Sequence, residues 1–403
     1  MKMQAALYSK ESKAGVKLAT VPRPTLTSSI YDPKSTTILR FLFFKITSAI
    51  AILVCHLMKL VRWLLPSTPK PYGEKADRQW VLCRVHSVGL NPVDAKFLYG
   101  DKLPQFCLPM VKWFVENQIC GIDFSGTIVE APLQCGYEVG DDVFGTIPPF
   151  FGSLAEYVRA PTDFLSLKPK NMSHTEACAI PLVGLTALQA FEDHNLIFGQ
   201  HVLVLGASGG TGHVAVQIAK AKGAQVTAVT SSRNADFVRD LGADIIILYD
   251  QSSNLFDELH AATSMHGPFN LVFDSVSSHD PRDSCFQYET RIRCAEPKLL
   301  IGTYIFIGGL VTDWILAHLK RYFGINWFGR DRELFWVRFP NSTARLALLR
   351  HFCETKQLKV RIANRMLFTE ASIQEAFQLQ LSRRIAGKIV IEIVPGNRKQ
   401  IIN

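Results

Sequence analysis

His201-Val202-Leu203-Val204-Leu205-Gly206-Ala207-Ser208-Gly209-Gly210-Thr211-Gly212, followed by the helical stretch His213 to Lys222, is the stretch on which the fold turns. An uncharged apolar run ended by glycine reads as a buried strand, and the run behind the glycines has helical spacing. Between them, small residues let the backbone approach a pyrophosphate, whose charge sits where the first N–H groups of a helix lack partners. The strict G-x-G-x-x-G is altered, because Ala207 holds the first position of an A-x-G-x-x-G. Strand, glycine loop, helix and the next strand Gln225 to Thr230 form a βαβ unit. The plainer alternative is a tight strand-to-helix turn that holds no ligand.

Working outward, Ile245 to Leu248, Leu271 to Phe273 and Thr303 to Ile307 supply later strands of the same sheet, and Pro181 to Asp193 a helix before it. Trp80 to Val88, Val143 to Ile147, Glu156 to Val158 and Lys388 to Ile393 read as strands outside it. The strand Val226 to Thr230 ends in Ser231-Ser232-Arg233-Asn234, with no carboxylate in that run for a ribose 2′-hydroxyl. Hydroxyls and a guanidinium suit a 2′-phosphate, so NADPH is expected over NADH. Ser231 or Ser232 can equally cap the next helix, with Arg233 in solvent, and both readings can hold together.

The chain has 403 residues, 48% hydrophobic and 20% charged, with 26 Gly and 20 Pro. This excludes a disordered or collagen-like chain. Residues 1–80 hold 13 Lys and Arg against 4 Asp and Glu, which accounts for the whole net charge of +9. Basicity confined to one end argues against a nucleic-acid face and for a local patch beside something anionic. Nine scattered cysteines without a C-x-x-C pair argue against a disulfide framework or zinc knuckle, and for a reducing compartment. The start lacks the apolar region of a secretory signal, so no cleaved leader is expected. Residues 38–65 form a long apolar stretch, ~42 Å as a helix. Lys45, Ser48, His56, Lys59 and Arg62 fall in one stripe, which suits a helix lying in a membrane interface.

Further motifs are Val88-Gly89-Leu90-Asn91-Pro92-Val93-Asp94, Gly121-Ile122-Asp123-Phe124-Ser125-Gly126, Gly140-Asp141-Asp142-Val143-Phe144-Gly145 and Gly152-Ser153-Leu154-Ala155-Glu156-Tyr157-Val158. Leu182-Val183-Gly184-Leu185-Thr186-Ala187 and Ala386-Gly387-Lys388-Ile389-Val390 complete the set. With the glycine loop, their order resembles the zinc-independent, zeta-crystallin-like quinone oxidoreductase branch of the medium-chain dehydrogenase/reductase superfamily. The resemblance covers about residues 80–395 and the first strand. It implies an α/β fold, a GroES-like β domain plus a doubly wound Rossmann domain, here with an inserted hydrophobic helix. The expected boundaries are 1–165 for the GroES-like domain, with 30–77 inserted, 166–345 for the Rossmann domain, and 346–403 for the return. A homodimer is a family expectation.

The resemblance also implies roles. Asn91 and Thr186 are the expected catalytic residues, Asn91 beside nicotinamide or substrate and Thr186 near the cofactor ribose. Ser208, Gly209, Gly210, Thr211 and Gly212 would hold pyrophosphate, and Ser231, Ser232 and Arg233 the 2′-phosphate. Tyr249 belongs near the adenine, Gly308 under the nicotinamide, and Lys388 in the cleft between domains. Asn91 before Pro92 can also simply cap a turn, and Asp94 is expected to structure that turn rather than transfer protons. Ile122 stands where zinc-dependent relatives carry a histidine ligand, so no metal is expected. Hydride transfer without a metal needs an electrophilic acceptor such as a quinone or an α,β-unsaturated carbonyl.

The insertion is read as interrupting the first hairpin, between Met3 to Tyr8 and Trp80 to Val88. If both strands belong to one sheet, a single crossing would part them, so an interfacial helix or re-entrant hairpin is expected at residues 38–65. A cap over the β domain or a partner-binding arm is the alternative. Trp314 to Phe339, where aromatic and basic residues interleave, could meet a lipophilic acceptor or pack in the Rossmann helix layer. The combined expectation is a membrane-associated NADPH-dependent reductase of a lipophilic small molecule, facing the cytosol or another reducing compartment. The rival is a non-catalytic membrane scaffold or trafficking adaptor with the same fold.

Overall fold

The computed structural model describes residues 2–9, 16–26, 79–99, 116–148, 152–276, 287–309, 313, 316–317, 320, 331–338 and 342–393. Strands β1 (Lys2–Tyr8) and β2 (Val16–Pro22) form an antiparallel hairpin. β3 (Trp80–Gly89) leads to helix α1 (Pro92–Tyr99), whose opening proline lacks an N–H that the first turn would leave unpaired anyway. β4 (Asp123–Glu130), β5 (Asp142–Thr146), β6 (Tyr157–Pro161) and β7 (Leu165–Leu167) follow. The short α2 (His174–Ala177) starts from a reciprocal capping box between Ser173 and Glu176, and α3 (Pro181–Asp193) begins with proline.

The nucleotide-type half then alternates β8 (His201–Leu205), α4 (Gly212–Ala221), β9 (Gln225–Thr230), α5 (Ala235–Asp240), β10 (Ile245–Leu248), α6 (Leu255–His266) and β11 (Phe269–Asp274). It continues with α7 (Tyr288–Arg293), β12 (Leu300–Phe306) and β13 (Arg332–Leu334). Its six strands lie in the order β10-β9-β8-β11-β12-β13, all parallel. In β8, Val202 and Val204 face α3 and α4, whereas Leu203 and Leu205 face the cluster under α6 and α7. This is the two-residue alternation of a sheet covered on both sides. Strand order reverses between β8 and β11, so the crevice beyond their C-terminal ends is where such a sheet takes a ligand.

After α8 (Thr343–Glu354), β14 (Ile362–Leu367), α9 (Glu370–Leu381) and β15 (Lys388–Glu392) return the chain to the first half. There the sheet order is β14-β15-β3-β4-β5-β7, with β6 also on β3. Val81, Cys83 and Val85 of β3 join Phe124, Phe164, Phe377 and Ile391 in that half's core. The return strand β15 pairs antiparallel with β3, Ile391 opposite Val88, so both halves share one crossing point.

The hairpin expectation needs correction. Val16–Pro22, not Trp80–Gly89, is the partner of the first strand, and its alternating, half-exposed V-K-L-A-T-V-P gave little signal. The hairpin joins the larger half through the bridges Ala5 to Ala155 and Leu7 to Ile119, and Ala6, Tyr8 and Val16 pack into that half's core. The chain after β2 and the chain before β3 are nevertheless held on one strand. Arg23 lies over the Tyr157 ring at 4.1 Å, and Arg159 lies over Trp80 at 4.5 Å. Residues 38–65 and most of Trp314 to Phe339 lie outside the described residues. Among the described residues no helix is long and apolar enough to cross a membrane.

Phe273 on β11 is fully buried and meets Phe191 of α3 with ring centroids 5.5 Å apart. Phe273→Ala should lower unfolding stability by about 3–5 kcal/mol, seen as a lower denaturation midpoint at unchanged slope. A midpoint equal to that of the parent would contradict this packing.

Candidate functional site

The loop between β8 and α4 is shaped by backbone crowding. A Cβ on Gly212 would lie 2.1 Å from the Gly206 carbonyl oxygen, so only glycine lets helix and loop approach this closely. Ser208, Gly209, Gly210 and Thr211 remain partly exposed along the rim. The start of β15 leans on that rim from the other half of the molecule. The Gly387 N–H donates to the Ser208 carbonyl at 2.9 Å, and a Cβ on Gly210 would stand 3.3 Å from Lys388 Cδ. A cradle kept free of side chains, at the N-terminus of a ten-residue helix, fits a dinucleotide pyrophosphate.

At the end of β9 the outcome is mixed. Ser231 is buried, and its Oγ accepts from Asn234 Nδ2 at 3.1 Å; the same amide donates to Ser208 Oγ at 3.2 Å. This joins the 2′-phosphate candidates to the phosphate loop. Ser232, however, donates both its N–H and its hydroxyl to the Asp250 carboxylate, at 2.8 Å each. Folding thus brings in a carboxylate that the Ser231–Asn234 run lacks. Arg233 is exposed, and its charge, behind the two Ser232 hydrogen bonds, helps hold Asp250 below the usual range. Tyr249 follows β10, half-exposed, its N–H bonded to the Thr230 carbonyl.

Beneath the contact between the halves lies a buried polar cluster. Lys388 Nζ donates to Asn91 Oδ1 at 2.5 Å and stands 3.8 Å from Asp123 Oδ2. Asn91 Nδ2 donates to the Asp123 carboxylate at 2.9 Å and to the Gly89 carbonyl at 3.1 Å. Asp123 also accepts the Leu182 N–H of α3 at 3.1 Å. The Asn91 side chain therefore does not cap its own helix; it is oriented by an acid and a cation. Asp94 takes the turn-forming role, its Oδ2 accepting the Asn91 N–H at 2.8 Å, while Tyr8 Oη donates to the Asp94 carbonyl at 2.9 Å.

Burial sets the charges here. Desolvation raises Asp123, opposed first by Lys388 and then by the Asn91 hydrogen bond. Desolvation lowers Lys388, opposed by Asp123 and Asp94. Asp94 is pushed up to about 7 from an ordinary 3.8, because burial outweighs its bond from the Asn91 backbone. Two carboxylates and one ammonium would carry a net charge of −1, and protonation of Asp94 removes it.

Thr186 lies on α3 with its hydroxyl donating to the Leu182 carbonyl at 2.7 Å, the residue whose N–H holds Asp123. Gly308 follows β12, next to β11 in the sheet. Cys120 is fully buried, its thiol pushed up by burial beside Tyr8 and Asp94. Besides Asp250, Asp123 and His213 carried no sequence-based assignment. Asp123 had a visible signal, an acid inside the apolar D-F-S-G-T-I-V strand; His213, first residue behind the glycine loop, had none. Among the described residues no group of three or more His, Cys, Asp or Glu is placed to hold a metal ion.

Residues 77–170 match the model of the alcohol dehydrogenase GroES-like domain, and residues 210–291 that of the zinc-binding dehydrogenase family. The chain is 30% identical over 326 residues to the 2-methylene-furan-3-one reductase of Solanum lycopersicum, covering 78% of this chain and 72% of that protein. It is 35% identical over 210 residues to the mitochondrial NAD(P)H oxidoreductase RTN4IP1 of Bos taurus, a match spanning 49% of this chain and only 52%, about half, of that relative. The quinone oxidoreductase of Coxiella burnetii superposes with a TM-score of 0.67 at 23% identity, covering 98% of this chain and all of that one, which shows the shared fold.

An acid raised on folding binds more protons in the native than in the unfolded state between the two values. The Asp94 contribution therefore favours folding at low pH and is lost as pH rises from about 4 to 7. Asp94→Asn keeps an acceptor for the Asn91 N–H but cannot ionise. Its unfolding free energy should gain on that of the parent across this window, most strongly above pH 7. Parallel stability profiles would rule out the buried, proton-holding Asp94.

Proposed function

The chain belongs to the medium-chain dehydrogenase/reductase superfamily, and on that premise we propose that it is an NADPH-dependent reductase of quinones or α,β-unsaturated carbonyl compounds, working without zinc. The observation that carries this reading is the buried Lys388–Asn91–Asp123 cluster lying directly against the glycine loop. A reductase of an activated alkene or quinone needs positive charge and fixed donors where a carbonyl oxygen gains electrons. Lys388 supplies the charge, Asn91 and Asp123 fix its direction, and burial keeps water from weakening it.

Ser208 to Gly212 would hold the pyrophosphate and Arg233, with Ser231, the 2′-phosphate; bound NADPH would supply the hydride. Thr186, one turn along α3 from the Asp123 anchor Leu182, is assigned to the ribose side of the cleft. The proton that completes reduction is assigned to water or a hydroxyl of the acceptor pocket. Zinc independence rests on Ile122, an apolar side chain where the resemblance expects a histidine ligand.

Membrane association through residues 38–65, facing the cytosol or another reducing compartment, belongs to the same proposal. Arg23, after β2, and Trp80, at the start of β3, both rest on β6, through Tyr157 and Arg159. An attachment that does not cross the bilayer satisfies that geometry.

With saturating NADPH and a panel of small quinones and enones, Asn91→Ala and Lys388→Met should each lower turnover by about 10²-fold or more. Turnover by either variant within a few-fold of the parent would remove the cluster from catalysis. Arg233→Ala should weaken NADPH binding by about ten-fold and leave NADH unchanged. Equal losses for both nucleotides would sink the 2′-phosphate assignment.

A further inference from the structure

His213 is the first full turn residue of α4 and is completely buried. Its Nδ1 faces the Gly209 carbonyl oxygen at 2.8 Å, inside the phosphate loop, and its Nε2 receives the Arg361 N–H at 3.3 Å. These two partners decide the tautomer: Nδ1 carries the proton and Nε2 accepts. The ring must stay neutral for that. Burial, with Lys388 and Arg361 nearby, lowers it to about 4.

Arg361 is the residue next to which the catalytic lysine enters. Its carbonyl accepts the Lys388 N–H at 2.8 Å, while the preceding N–H, of Gly387, goes to Ser208 in the loop. Gly387 adopts φ +103°, and a Cβ there would stand 2.4 Å from the Arg361 oxygen, so the contact admits only glycine. The Gly387–Lys388 segment is thus held at one point by the phosphate loop and at the next by Arg361, which itself rests on the loop's histidine. One turn further along α4, Gln217 clasps the Lys359 backbone, its Nε2 donating to the carbonyl and its Oε1 accepting the N–H, at 2.8 Å each.

We propose that His213 is a positioning residue, a latch whose neutral imidazole ties the phosphate loop to the Arg361–Lys388 backbone and so aims the Lys388 ammonium at the acceptor when the loop is filled. The path runs from the Gly209 carbonyl through the imidazole to the Arg361 N–H, along the Arg361 backbone to its carbonyl and the Lys388 N–H, and along the lysine side chain to its ammonium and the Asn91 amide. The loop and the ammonium come from different halves of the molecule, and this path joins them without passing through bulk side-chain packing. The catalytic consequence rests on the NADPH reductase reading; the latch itself does not.

Two substitutions divide the imidazole's functions. His213→Asn keeps a donor at the Nδ1 position for the Gly209 carbonyl and leaves the Arg361 N–H without an acceptor. His213→Gln reaches the Nε2 position and restores that acceptor. Gln217 still docks Lys359 in both, so the segment stays in place.

Hydrogen exchange, followed by mass spectrometry on peptides covering 358–363 and 385–390, reads the latch in the ligand-free protein. His213→Asn should exchange about ten-fold faster than the parent in both peptides, with the rest of the GroES-like half unchanged, and His213→Gln should return to within about two-fold. Saturating NADPH should slow peptide 385–390 in the parent but in neither variant, because Gln leaves the Gly209 carbonyl and Asn the Arg361 N–H outside the latch, and kcat should fall about ten-fold in both with KM for NADPH within about three-fold. Unchanged exchange in His213→Asn, or acceleration across the whole half in both variants, would overturn the latch. If the parent binds no NADPH, the reductase reading fails while the ligand-free comparison still decides the latch.

Discussion

The burial of one lysine organises this molecule. Lys388 begins the last strand, 3% exposed, and its ammonium has left water for a pocket floored by Asp123, Asn91 and Asp94. An isolated buried ammonium is intolerable at neutral pH, and removing one partner of such a pair costs about 3–5 kcal/mol. Each partner therefore constrains a different part of the chain. Asp123 opens β4 and reaches α3 through Leu182, Asn91 ends the β3 turn, and Lys388 brings the C-terminal strand against both. Satisfying one charge fixes where the two halves of the protein meet.

That meeting point also lies against the phosphate loop. The same strand start donates to Ser208, crowds Gly210 and is backed by Arg361 and His213. Glycine loop and polar cluster are thus one continuous structure. The near-balance of the cluster follows from Asp94. With Asp123 matched by Lys388, a second full carboxylate would be in excess, and burial holds Asp94 close to protonation at neutral pH. The charge that remains in the cluster is then the ammonium's, bonded to Asn91.

How much of this was legible in the sequence varied with range. β8, β9 and β10 fall where their apolar runs placed them, because strand signal and glycine loop are local. The pairing of β1 with Val16–Pro22 was not legible, since that strand is half-exposed and its alternation weak. Asn91 and Lys388 were identified through motifs, but their mutual hydrogen bond spans 297 positions and has no signature in either motif. Asp250 shows the same limit: it sits 18 residues beyond Ser232, and the parallel pairing of β9 with β10 brings it to the end of β9. Nor could any local pattern show that Asp94 would be buried enough to hold a proton.

The claim at the centre is that the Lys388 cluster and the glycine loop form one NADPH-dependent site. The most direct measurement is a titration of the purified protein with NADPH and with NADH, following nicotinamide fluorescence, in the parent and in Lys388→Met. Saturable binding that favours NADPH, with the nicotinamide signal changed in Lys388→Met, is the predicted result. Binding of neither nucleotide, or a nicotinamide signal indifferent to the loss of Lys388, would contradict it.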